Sequence, residues 1–198
     1  IATRRDRSGE PVKTTRYVEQ VMGMPITLAL RGKHADDALG ARAWNDVVAS
    51  LRKADRMFST HRSDSEISEV NDGSRQLADV SRTVAGVLAI AERARRNSDG
   101  AFDVWFDHAD GGRRLDPSGV VKGWAVERAA KLLEDLEATD FCLSAGGDMV
   151  CRTRAQGSPG WRVGIEDPRN PTRIIAILPM TNGAVATSGT VHRGAHLV

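Results

Sequence analysis

Asp116-Pro117-Ser118-Gly119-Val120-Val121-Lys122 sets a carboxylate and a Ser-Gly pair directly ahead of an apolar-periodic run, with a lysine in the run's first turn. A helix opening here presents backbone N–H groups and the positive end of its dipole, a setting that suits a phosphate or pyrophosphate. The Asp116 carboxylate and the Gly119 carbonyl are hard oxygen donors of the kind Mg²⁺ takes. A diphosphate and its metal would meet complementary groups within this one segment. The same residues also read as an ordinary turn into a helix with Lys122 in solvent, since short motifs often match by chance.

Other stretches carry weaker signals. In Gly100-Ala101-Phe102-Asp103 the acid follows a helix stop, so Asp103 is either a ligand anchor, with Ala101 allowing close backbone approach, or a satisfied turn aspartate. Ala186-Thr187-Ser188-Gly189 offers hydroxyls and N–H groups to a phosphate or flavin, yet Ser188 lacks the Gly-x-Ser-x-Gly setting of a hydrolase elbow. Ser144-Ala145-Gly146-Gly147-Asp148 is glycine-rich without the spacing of familiar nucleotide loops. His192 and His196 stand four apart in a strand-like stretch, which does not align them as metal ligands. A histidine beside a phosphate can still act as acid or base near neutral pH.

The elements that must position these groups follow from periodicity. Residues 1–15 read as a disordered lead-in. Arg16 to Arg31 is strand-like, with Ile26, Leu28 and Leu30 alternating and Pro25 favouring an edge or a bulge. From Ala35 to Phe58 the apolar spacing predicts an amphipathic helix with Leu39, Ala43, Val47, Leu51, Ala54 and Phe58 on its face. Ser59 to Asp72 reads as a polar, turn-rich connection. A second helix carries Val84, Leu88, Ala91 and Ala94 and stops at Asp99-Gly100. The helix after Gly119 is expected to continue to Leu136, and short strands to follow from Phe141. Trp44, Trp105 and Trp161 are expected in the core. Helices and strands do not alternate regularly, so the fold class is α+β, a mixed or antiparallel sheet packed with helices.

Composition excludes several classes. The 198 residues suit one sizeable domain, and 40% hydrophobic with 27% charged residues is ordinary for a globular protein. A net charge of +2, from mostly arginine scattered among acids, gives no nucleic-acid stripe. No apolar run is long enough to cross a bilayer, and Ile1 to Lys13 lacks the apolar centre of a secretory leader. The visible sequence therefore reads as cytoplasmic; a leader removed upstream of Ile1 would make it exported or membrane-anchored. Cys142 and Cys151 have no zinc-type companions and read as two buried thiols, with a disulfide as the alternative.

The order of these blocks carries a resemblance. Met22-Gly23-Met24-Pro25, Phe58-Ser59-Thr60-His61, Ser65-Glu66-Ile67-Ser68 with Asn71, Gly100-Ala101-Phe102-Asp103, Asp116 to Val126, Gly146-Gly147-Asp148, Trp161-Arg162-Val163-Gly164-Ile165, Thr187-Ser188-Gly189 and His196-Leu197-Val198 succeed one another as in the FAD:protein FMN transferase family, ApbE. The succession resembles that family from about Arg16 to the end of the chain. The resemblance implies an ApbE-type fold over residues 16–198 that binds FAD and Mg²⁺, cleaves the FAD pyrophosphate, and moves FMN onto a Thr or Ser hydroxyl of an acceptor flavoprotein. It further implies FAD contacts from Met22, His61, Ala101, Phe102, Asp103, Asp116, Lys122, Thr187, Ser188, Gly189 and Leu197. By the same resemblance the Gly119 carbonyl would bind the metal and His196 would assist transfer by deprotonating the acceptor.

Three departures accompany it. His61 stands where many members carry a stacking tyrosine. Asp116-Pro117-Ser118 replaces an Asp-Leu-Gly helix opening. The sequence stops at Val198, ahead of the late Asp and Thr that complete the family's metal site, so the domain is expected to be C-terminally truncated. Two rival readings remain: a metal-dependent FAD pyrophosphatase releasing FMN and AMP, and a non-enzymatic FAD-binding protein.

Overall fold

In the computed structural model, residues 12–108 and 111–187 are described. The chain begins as a hairpin: β1 (Thr15–Val21) turns through Met22-Gly23 into β2 (Met24–Gly32). Met22 takes a left-handed backbone at φ 56°, unusual for a side chain with a Cβ, and Gly23 completes the tight turn at φ 69°. Thr15, read as the last residue of the lead-in, already belongs to β1. Pro25 does not mark an edge. It is the second residue of β2, which lies between β1 and a later strand. A proline is tolerated there because it sits at the strand's beginning, opposite Gln20, and its carbonyl accepts the Gly146 N–H.

Helix α1 (Ala38–Phe58) is capped by Asp37, whose carboxylate accepts the Leu39 and Gly40 N–H groups. Val47, Leu51, Ala54 and Phe58 are buried as their spacing predicts, whereas Leu39 in the first turn is exposed. The connection read as turn-rich contains a further helix, α2 (Glu66–Asp72), capped by Ser65 and closed by Gly73 at φ 82°. A short 3₁₀ turn at Leu77–Asp79 leads to α3 (Arg82–Asn97), capped by Ser81. A two-stranded ribbon, β3 (Trp105–Asp107) against β4 (Arg113–Leu115), then feeds α4 (Ser118–Lys131). The helix ends earlier than the apolar periodicity suggests. Leu133 and Leu136 are buried from the turns that follow it, so burial continues where helix does not.

The remaining strands are β5 (Thr139–Ala145), β6 (Asp148–Arg152), β7 (Trp161–Asp167), β8 (Asn170–Met180) and β9 (Gly183–Val185). The main sheet runs β1-β2-β5-β6-β9, and each pair is antiparallel. Its two faces follow from alternation: Leu28, Leu143 and Val150 face the helices, while Ala29, Cys142 and Cys151 face the β7–β8 hairpin. The helical side holds the large core, with Ile26, Leu30, Val47, Leu51, Val84, Val87, Ala129 and Phe141 fully or almost fully buried. The observed class is α+β.

On the opposite face Arg31 anchors the hairpin. Its guanidinium lies 3.6 Å from the Trp161 ring centroid, donates to the Pro159 carbonyl at 2.9 Å, and pairs with the buried Asp140 carboxylate at 3.3 Å. Asp140 also accepts the Arg154 and Ala155 N–H groups and the Ser158 hydroxyl. Trp44 is buried and stacks on Tyr17, and Trp161 is buried, as expected. Trp105 is only half-buried, packed against the core's margin with Arg113 near its face. Among the described residues no helix is long and apolar enough to cross a membrane.

Candidate functional site at the start of helix α4

The Asp116 turn is built by three separate attachments. Asn71 at the end of α2 donates from Nδ2 to the Leu115 carbonyl at 2.9 Å and accepts the Leu115 N–H at 2.7 Å. The Asp116 N–H donates to the Val104 carbonyl at 2.8 Å. The Asp116 Oδ1 then accepts the Ser118 N–H at 2.9 Å, taking the capping role that Pro117 has no side chain to fill. Ser118 and Gly119 are exposed at the opening that this turn creates.

Around this opening the structure gathers Phe102, Gly119, Lys122 and Thr187 with Asp116. A Cβ added at Gly119 would stand 3.0 Å from Phe102 Cε2, so the ring lies directly on the helix's first turn. Lys122, one turn in, is not in solvent. Its ammonium meets the Asp148 carboxylate at 3.1 Å, with side chains 18% and 12% exposed. Asp148 also accepts the Thr187 N–H at 2.9 Å, and the Thr187 hydroxyl donates to the Gly147 carbonyl at 2.9 Å. Lys122, the β5–β6 turn and Thr187 are thereby one connected unit. The Met24 side chain packs at Gly146, where an added Cβ would stand 2.9 Å from its sulfur. Gly146 and Gly147 both take positive φ, which brings the turn this close to Met24 and Thr187.

Other predicted residues stand less directly at the opening. Met22 is half-buried against the main core at the β1–β2 turn. Ala101 is exposed in the turn that carries Phe102. Asp103 is engaged locally: it accepts the Trp105 N–H at 2.9 Å and faces Arg113 at 3.6 Å, the satisfied turn aspartate of the simpler reading. His61 is exposed, its N–H donating to Ser59 Oγ. Phe58, the last residue of α1 and three positions before it, meets the Trp124 ring edge-on at 5.4 Å. Ser188, Gly189, His196 and Leu197 lie outside the described residues.

Asp148 and Asn71 are the residues a reading of single motifs misses. Each belongs to a block in the family-like succession, but neither spacing announces a contact with Lys122 or Leu115. A hollow of about 340 Å³ beside Trp44, Arg52 and Arg56 contains none of these residues, and a smaller one of about 190 Å³ has only Asp103 on its wall.

Among the described residues no three His, Cys, Asp or Glu side chains cluster as a metal cage. The oxygen groups that the sequence offers as donors are one carboxylate, Asp116, and the Gly119 carbonyl, which in helical geometry keeps a second lone pair beyond the ladder bond. That set fits Mg²⁺, which binds through one or two carboxylates and takes further oxygens from substrate phosphates and water. It would not hold a cation stripped of both.

The chain is similar to known proteins over most of its length. The sequence profile of the ApbE family matches residues 22–110 and 105–196. A Haemophilus influenzae protein named FAD:protein FMN transferase is 23% identical over 92% of this chain, which spans 64% of that protein's length. The fold is that of the Thermotoga maritima ApbE protein (TM-score 0.77, 18% identity, 91% of this chain and 72% of the other). It is also that of the Vibrio cholerae flavin transferase ApbE (TM-score 0.72, 19% identity, 95% and 75%).

Proposed function

The chain belongs to the ApbE family, and from that premise we propose that it acts on FAD, transferring FMN to a Ser or Thr hydroxyl of an acceptor flavoprotein and releasing AMP. The observation that carries this reading is the meeting of Asp116, Phe102, Lys122, Asp148 and Thr187 around the first turn of α4. The positive end of the helix dipole and a nearby ammonium suit the diphosphate of a dinucleotide. Lys122 carries three donors, so its bond to Asp148 leaves two for phosphate oxygens. Asp148 holds the ammonium in place before substrate arrives, which spares part of the ordering cost of binding. Phe102 supplies an apolar surface beside the phosphates, and Met22 and His61 border the flavin nucleotide from the β1–β2 turn and the end of α1.

Mg²⁺ bound by Asp116 and the Gly119 carbonyl would supply charge neutralisation at the diphosphate. The chain's own residues orient the phosphates along the helix start and hold Lys122 where charge builds on the leaving phosphate. His196 takes the proton of the acceptor hydroxyl as its oxygen attacks the FMN phosphorus and the bond to AMP breaks.

The test is incubation of the protein with FAD, Mg²⁺ and an acceptor flavoprotein, followed by mass spectrometry of the acceptor. Covalent FMN on the acceptor with AMP in solution supports transfer. FMN and AMP with an unmodified acceptor would replace it with hydrolysis, and intact bound FAD with a carrier role.

A further inference from the structure

Cys142 and Cys151 are directly opposed on β5 and β6, and their sulfurs lie 3.3 Å apart. Directly opposed residues of antiparallel strands have Cα separations of about 4.5–5.5 Å, inside the range a disulfide spans. Both point to the hairpin side of the sheet, among Ala29, Trp161 and Val163. Cys151 is fully buried there and Cys142 is partly exposed. Neither belongs to the site at α4, and nothing in the proposed transfer uses a thiol.

We infer that Cys142 and Cys151 form an oxidative modification site, a dithiol that closes into a cross-strand disulfide on exposure to a small-molecule disulfide such as oxidised glutathione. The roles of the two sulfurs differ. Cys142 is the one a reagent reaches. The thiol hydrogen bond from Cys151 holds the pKa of Cys142 below its ordinary value against the opposing effect of burial, and the charges of Arg16 and Arg31 add to the lowering. Arg16 stands opposite Ala29, which stands opposite Cys142, so this cation lies on the same side of the sheet. Cys151 is shifted the other way, first by its bond to Cys142 and then by burial, so it remains the protonated partner.

The exchange has two steps. The Cys142 thiolate attacks one sulfur of oxidised glutathione, forming a mixed disulfide and expelling glutathione, which takes up a proton. Cys151 then loses its proton, its sulfur attacks that of Cys142, and the second glutathione leaves. Two electrons and two protons pass from the pair to the oxidant. The bond would cross-link β5 to β6 three residues beyond Asp148, fastening the strand that presents the lysine's partner.

The experiment incubates the folded chain with oxidised glutathione, alkylates remaining thiols with a maleimide under denaturing conditions, and weighs the product. The expected product has lost two hydrogens and carries no maleimide. Cys151→Ser should retain one glutathione, and Cys142→Ser should react at least tenfold more slowly. Two maleimides per wild-type chain, a persistent glutathione adduct, or a disulfide-linked dimer would each overturn the inference. The wild-type result stands without the variants, and none of these readouts depends on flavin transfer.

Discussion

Asn71 grips the backbone of Leu115 with both atoms of its amide, and through that one residue the end of α2 sets where the Asp116 turn begins. Leu115 is fully buried, so removing the amide strands a backbone donor and acceptor away from water. Asn71→Ala should cost about 2–3 kcal/mol of stability by urea unfolding. Asn71→Asp, which keeps the acceptor but sets a carboxylate oxygen against the Leu115 carbonyl, should cost at least as much. FAD affinity should fall in titrations of both folded variants, because the turn that Asn71 fixes carries Asp116.

Lys122 and Asp148 should couple energetically. Lys122→Ala leaves a mostly buried carboxylate without its cation, and Asp148→Asn added to it removes that penalty. A double-mutant cycle in urea should return a coupling of about 1–3 kcal/mol. FAD binding should separate the two roles: every variant lacking Lys122 should lose at least tenfold in affinity, about 1.4 kcal/mol. Unchanged FAD affinity in Lys122→Ala would confine the lysine to a structural part.

Gly119 and Gly86 should respond oppositely to added bulk. Gly119→Val drives a branched side chain into the Phe102 ring and should destabilise the protein by about 1–3 kcal/mol while weakening FAD binding. Gly86, exposed within α3, has open space where a Cβ would go, so Gly86→Ala should gain about 1 kcal/mol from helix propensity. Thermal melts and FAD titration of both variants check the contrast.

Acid should weaken the start of α1. The Asp37 carboxyl is held below its ordinary value of 3.8, first by its bond to His34 and then by the Gly40 N–H. A depressed folded value means the group stabilises the fold above its unfolded value, and that contribution disappears as pH falls through the folded value. The Tm advantage of wild type over Asp37→Ala should therefore be constant near neutrality and shrink below about pH 4. A gap that persists in strong acid would exclude the ionised cap as its source.

Much of the fold was legible because alternation and helical spacing report burial directly. Ile26, Leu28 and Leu30, and Val47, Leu51 and Phe58, face the core as their periods require. Periodicity failed where apolar burial and helix part company, as at Leu133 and Leu136, and where a helix is too short to show a period, as in α2. At the site, residues joined by local sequence were readable: Asp116, Gly119 and Lys122 share one turn. Asp148 and Asn71 were not, because their partners lie 26 and 44 residues away and only the packing of α4 on β6 and of α2 on β4 brings them in. Asp103 shows the reverse case, an acid in a suggestive motif whose bonds are spent on its own turn.

The Arg31–Asp140 pair carries a mechanical consequence for the outer hairpin. A single carboxylate tethers two backbone amides, a hydroxyl and a guanidinium, and that guanidinium in turn lies against Trp161 and bonds Pro159. These ties share one rivet. Damage at Asp140 would loosen them together, so the loop 153–160 and the flap beyond it should detach as a body, not peel away residue by residue.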